Sequence, residues 1–171
     1  MHQGIGLDAF NGMSKQRAMH ALYECCYSVP LAGSLADGRA YGDHDHLFRQ
    51  ADTLLFSLDE VSIDAILQAY PQVGRRPGST RSHFEQCAVC DQNPALMTTL
   101  RTKAADYRGH FGFDFVMYVG NMSTVGVLNH MADRMLNEPE TERKVVRNEM
   151  ARINRTRLER MLGPEGGYDN W

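Results

Sequence analysis

At 171 residues, 43% of them hydrophobic, the chain is long enough to bury one sizeable core, so a single domain is expected. Its 18 basic residues against 21 acidic ones, a formal charge of −3, argue against binding nucleic acid by cationic surplus and point to small molecules or protein partners. No apolar run approaches the roughly 20 residues that span a bilayer. The stretch from Met1 to Phe10 lacks the charged-then-apolar order of a signal peptide, so a cytoplasmic location without membrane contact is expected.

In chain order, Ser14 precedes a helical pattern of apolar positions at Ala18, Leu22, Cys25 and Cys26, and a second amphipathic set runs Leu47, Phe48, Ala51, Leu54, Leu55. His44-Asp45-His46 opens that second set. A lone HxH is weak as a metal pair, and Asp43 or Asp45 starting a helix is the plainer reading. Ser57 to Glu60 has the S-x-x-E capping-box pattern and leads into Ile63, Ile66 and Leu67. Pro71 pushes the residue before it out of the helical region, so this helix is predicted to end at Tyr70, at the mouth of the next loop.

That loop, Gly74 to Thr80, lacks the lysine and spacing of a phosphate-binding loop. Ser82-His83-Phe84-Glu85 repeats the capping-box pattern and opens a short helix through Cys90. Glu85 either completes that cap or, with Gln86 beside it, belongs to a polar patch facing a pocket. His83 on the same turn is expected to be solvated. Cys87 and Cys90 have the spacing of zinc and redox sites, but they fall on an apolar helical pattern with Phe84, so buried or half-buried thiols are expected and no metal is assigned.

Asn93-Pro94 sets an N-cap and a first-turn proline for a helix carrying Leu96, Met97, Leu100, Ala104 and Tyr107. From His110 to Gly120 the aromatic and β-branched content predicts buried, extended backbone, whose amides need partners in neighbouring helices, water or a ligand. Ser123 caps a helix with Val127, Leu128, Met131, Met135 and Leu136, closed by Asn137 and Pro139. A last helix is predicted from about Glu140 to Leu162, stopped by Gly163-Pro164. The expected architecture is all-α, a compact single-domain bundle of about eight helices over 1–162, followed by a flexible tail at 163–171.

The last helix carries its apolar stripe on Val146, Met150, Ile153 and Met161, and Arg157 falls on the same face. Either its stem packs and its head reaches out or pairs with a buried carboxylate, or its planar fork awaits an anionic substrate group.

Several segments occur together in a telling order: Phe10-Asn11, Cys25 to Ser28 (CCYS), Ala69 to Gly74 (AYPQVG), Ser82 to Gln86 (SHFEQ), Phe111 to Gly120 (FGFDFVMYVG), Arg134 to Asn137 (RMLN) and Asn154 to Leu158 (NRTRL). The set resembles the 2-oxo-4-hydroxy-4-carboxy-5-ureidoimidazoline (OHCU) decarboxylases of the route from uric acid to (S)-allantoin, over nearly the whole chain. The resemblance implies an all-helical carboxy-lyase without cofactor or metal, usually a homodimer, acting on a small anionic heterocycle. It also implies a site made of Pro71, Ser82, Glu85, Gln86, the backbone of Phe115, Val116, Met117, Tyr118 and Val119, and Arg157. In that reading Arg157 anchors an anionic group, Glu85 and Gln86 orient ureido or hydroxyl groups, and the Phe115 to Val119 amides meet substrate oxygens.

The family places its acid and base histidine just before the proline, where this chain has Tyr70. A phenol titrates near 10; it donates a proton to a carbanion readily but accepts one poorly at neutral pH. An aromatic residue, commonly tryptophan, often follows the CCxS segment in the family, whereas Val29-Pro30 follows here. Three outcomes are compatible with this: decarboxylation with Tyr70 as proton donor, a relative acting on another anionic heterocycle in a specialised biosynthetic pathway, or a non-catalytic small-molecule binder.

Overall fold

The computed structural model describes residues 4–73 and 93–165. Eight helices and no strand occur among these residues: α1 Leu7–Gly12, α2 Lys15–Cys26, α3 Val29–Asp37, α4 His44–Ser57, α5 Glu60–Ala69, α6 Pro94–Phe111, α7 Thr124–Arg134 and α8 Pro139–Leu162. The class is all-α, as expected. The chain divides into two compact units, one of Met1–Ser62 with Ala151–Trp171 and one of Ile63–Met150.

In the first unit α2 packs on α3 and α3 on α4. Leu22, Leu31, Leu35, Leu47, Leu55 and Leu158 are almost wholly buried, each worth roughly 1.5–3 kcal/mol of apolar burial. Local chemistry sets the helix starts. Ser14, Ser28 and Asp43 accept the amides of Arg17, Leu31 and His46, each satisfying one of the donors that a helix N-terminus leaves open.

Phe10 is fully buried beneath the Arg39 guanidinium, which donates to the carbonyls of Phe10, Met13 and Ala36. Asn11 exchanges two hydrogen bonds with the Tyr41 backbone. The Phe10-Asn11 pair thus pins α1 to the loop after α3. At the other end of the chain, the Ile5 and Gly6 amides donate to the Met161 and Leu162 carbonyls that α8 leaves open. Gly163, at φ 81°, ends α8 as the glycine signal predicts.

In the second unit α6 packs on α7, and Ile63, Leu100, Tyr107, Val127, Val146 and Met150 form its centre. Asn93 caps α6 through the Ala95 amide, with Pro94 in its first turn. The Phe113 to Val119 segment is non-helical and largely buried, as its composition predicts.

Four local expectations change. The start of α5 is held by Asp59, whose carboxylate takes the Ser62 amide at 2.7 Å, while the Ser57 hydroxyl donates back to Leu54 inside the last turn of α4. An acidic side chain adjacent to the first turn outcompetes a serine two residues earlier. Helix α6 continues through His110 and Phe111 until Gly112, at φ 83°, turns the chain. Leu136 lies beyond the end of α7 and is 85% exposed, so it is not part of the apolar stripe. Pro139 does not close α7 but begins α8, where its missing N–H costs nothing.

Candidate active site

Arg157 is 3% exposed, within the first unit. Its Nη1 donates to the Cys25 carbonyl at 3.1 Å, at the C-terminal end of α2, where the helix dipole favours a cation. The guanidinium carbon lies 4.7 Å from the centre of the Tyr27 ring, a cation–π distance. Cys26 beside it directs its thiol to the Ser28 carbonyl, and burial pushes that thiol up to about 11, so it is a protonated packing group at neutral pH. Arginine on the apolar face of α8 is therefore a buried cation, not a snorkelling one.

The stripe around Arg157 also differs from the one that apolar residues alone suggest. Asn154 is buried at 3%, and Leu158 and Leu162 are buried beside it, while Ile153 and Met161 sit on the flank. The inward line of α8 runs through Glu142, Val146, Met150, Asn154, Arg157 and Leu158, so three of its members are polar.

Tyr70, in the second unit, ends α5 with its amide shared between the Ile66 and Leu67 carbonyls. Its side chain is 9% exposed. Two residues on, Gln72 reaches Asp114 at 3.5 Å, and Asp114 is held by Arg108 at 3.1 Å. The Tyr70-Pro71 corner is thereby tied to the head of the Phe115 to Val119 segment. Phe115, Val116, Met117 and Val119 are all buried.

The backbone of that segment has specific partners. The Tyr118 amide donates to the Glu149 carboxylate at 2.6 Å, the Val116 carbonyl accepts from Arg134 Nη1 at 2.7 Å, and the Val119 carbonyl accepts from the Met122 amide. The Tyr118 amide and the Val116 carbonyl are thus satisfied from neighbouring helices, one of the three routes the composition left open.

Sequence reasoning missed the group that holds it. Arg134 is 8% exposed and Glu142 fully buried, paired at 2.5 Å. The Tyr107 hydroxyl donates to Glu142, Asn137 donates to its second oxygen, and the Arg134 guanidinium lies 4.4 Å over the Phe115 ring. Burial and the Glu142 carboxylate drive the Tyr107 phenol far above its ordinary range, so it stays a donor. The signal was present: Val127, Met131 and Arg134 share one face of α7, and Glu142, Val146 and Met150 follow each other at intervals of four on α8.

Ser82, Glu85 and Gln86 lie outside the described residues, as do His83, Cys87 and Cys90. Among the described residues no three His, Cys, Asp or Glu side chains group as metal ligands. His44 packs edge-on against Phe48 and His46 against Tyr41, with His46 Nδ1 accepting the Gly42 amide, and Asp43 is the cap.

Comparison with known proteins bears on these features. A 2-oxo-4-hydroxy-4-carboxy-5-ureidoimidazoline decarboxylase of Halalkalicoccus jeotgali is 31% identical over 105 residues, 60% of this chain and 60% of its own. The uric acid degradation bifunctional protein TTL of Arabidopsis thaliana is 21% identical over 146 residues, 81% of this chain and 45% of its own. The chain thus spans less than two thirds of either relative's length. A crystal structure of an OHCU decarboxylase in the presence of (S)-allantoin shares the fold, with a TM-score of 0.74, 18% identity, and coverage of 88% of this chain and 99% of that one. A crystal structure of an (S)-allantoin synthase gives a TM-score of 0.74 at 16% identity, over 92% of this chain and 54% of that one. The family model for OHCU decarboxylase matches residues 11–159, nearly all of the described chain, and the protein therefore belongs to the OHCU decarboxylase family.

Proposed function

We propose that this chain is a cofactor-independent carboxy-lyase of uric acid degradation, converting OHCU to (S)-allantoin with Tyr70 in place of the family's histidine. The observation that supports the reading is the buried guanidinium of Arg157, the residue to which the resemblance gives the anion-anchoring role, in a chain that the family model matches over residues 11–159. A buried arginine fork matches a carboxylate or an anionic ring oxygen in two parallel hydrogen bonds.

In this reading Arg157 holds an anionic group of the substrate, and Glu85 and Gln86 orient its ureido or hydroxyl groups, with Ser82 and Pro71 lining the same substrate. Backbone groups from Phe115 to Val119 complete the contact; the Tyr118 amide, already engaged by Glu149, would need to exchange partners to take part. The C–CO2 bond breaks, carbon dioxide leaves, and the electron pair passes into the substrate ring, which serves as the electron sink. Tyr70 then gives its phenolic proton to the carbon and recovers one from solvent. Fixed dipoles aimed at the developing charge lower the barrier because they need no reorganisation during the reaction.

Tyr70 itself favours a second reading, in which the same residues accept another small anionic heterocycle or bind an allantoin-like ligand without turnover. A phenol cannot serve as the two-way proton shuttle that an imidazole is at neutral pH. No helix among the described residues is long and apolar enough to cross a membrane. We propose a cytoplasmic location and a homodimer, for which light scattering should return about twice the chain mass.

The test is direct. Purified protein is mixed with freshly generated OHCU and allantoin formation is followed. Acceleration that falls at least about tenfold in Arg157→Lys, where the charge stays and the fork is lost, supports the lyase. A rate equal to spontaneous decay refutes it, and calorimetry with allantoin then identifies a binder by saturable heat and unchanged ligand.

A further inference from the structure

Among the described residues, Tyr27 is the non-glycine residue with a left-handed backbone, at φ 51° and ψ 31°. A bulky side chain is uncommon there, because its Cβ crowds the backbone, whereas glycine adopts the conformation freely. The turn itself is an ordinary helix ending: the Tyr27 amide donates to the Tyr23 carbonyl at 2.8 Å, and Ser28 resumes extended backbone to cap α3. Ending α2 therefore explains the turn but does not itself require an aromatic side chain there. What the turn achieves is placement of the ring, since its centre lies 4.7 Å from the Arg157 guanidinium carbon and the Tyr23 ring packs against it edge-on at 6.1 Å.

We propose that Tyr27 is a positioning residue for Arg157, its ring a shelf that fixes the plane of the guanidinium while the Cys25 carbonyl fixes the rotation of that plane. The inference rests on Arg157 being the anion anchor described above. A planar fork meets an anion in two parallel bonds only when both its plane and its rotation are set, and an unsupported arginine loses several rotamers' worth of freedom on each binding event. The ring face and the Cys25 carbonyl each constrain the guanidinium in a different direction. The role falls on the third residue of the CCYS segment, the position that the CCxS pattern leaves open.

Two substitutions separate the shelf from the helix ending. Tyr27→Gly removes the ring and relieves the backbone; Tyr27→Phe keeps the ring and drops only the hydroxyl. For a shelf, Tyr27→Gly raises KM for OHCU about tenfold with a smaller change in kcat and an unchanged or higher Tm. Tyr27→Phe then restores KM to within about threefold of the parent. A Tyr27→Gly protein with parental KM overturns the proposal and leaves Tyr27 as a cap. If the parent does not turn over OHCU, the lyase reading fails by itself, and the shelf is judged by NMR of the Arg157 side chain. Its Nε–H is then shifted upfield by the ring in the parent and in Tyr27→Phe, and returns to the ordinary arginine position in Tyr27→Gly. Identical Arg157 signals in the parent and Tyr27→Gly overturn the shelf.

Discussion

Tyr70 closes α5 and is almost wholly buried, at the position where the family resemblance leads one to expect a histidine. If its hydroxyl delivers the proton that replaces carbon dioxide, Tyr70→Phe lowers kcat by about 10²-fold or more with little change in KM, the loss typical of removing a general acid. Tyr70→His introduces a group titrating near 6.5, so the rate gains a pH limb in that region that the parent lacks. Stopped assays of allantoin between pH 5 and 9 check both. Cys26 gives a second pH prediction, on stability. Burial raises its thiol from 9.0 to about 11, so the folded state holds the proton more tightly than the unfolded state does. Its contribution is complete below 9 and is lost as pH rises through 11. Urea unfolding across that window should show a smaller alkaline loss in Cys26→Ala than in the parent.

At the scale of elements, the helix starts are set by short side chains, and the sites of these caps were mostly legible. Ser14, Asn93 and Ser123 cap as their positions suggest. The start of α5 departs from the pattern because Ser57 to Glu60 fits a capping box while Asp59 stands closer to the first turn and takes the Ser62 amide. Asp59→Ala should therefore cost about 1 kcal/mol in thermal or urea unfolding, and Ser57→Ala appreciably less. The Arg134, Glu142, Tyr107 and Asn137 network joins α6, α7 and α8 to the Phe113 to Val119 segment. Glu142→Gln leaves a buried guanidinium without its counter-charge and should cost on the order of 3–5 kcal/mol. Replacing the charged pair together, as Arg134→Met with Glu142→Leu, should recover part of that loss, because an apolar pair needs no desolvation. This network is hard to read from sequence because Arg134 and Glu142 are charged residues whose burial depends on the pairing that the fold creates. No sequence pattern announces Tyr27, since its left-handed backbone falls on a residue type that seldom adopts one.

For the whole molecule, periodicity was enough for the all-α class, and the ordered motifs from Phe10 to Leu158 were enough for the family, which the match over 11–159 bears out. What periodicity could not supply was the chemistry at Tyr70, because a buried aromatic at a helix end looks the same whether it packs or reacts. The central claim is that this family member still directs the fate of OHCU despite the phenol. It is tested most directly by circular dichroism of the allantoin formed from fresh OHCU with and without the protein. Spontaneous decay gives a racemate with no signal, whereas proton delivery to one face gives optically active (S)-allantoin that accumulates in proportion to protein concentration. A racemic product at the spontaneous rate, at every protein concentration, would contradict it.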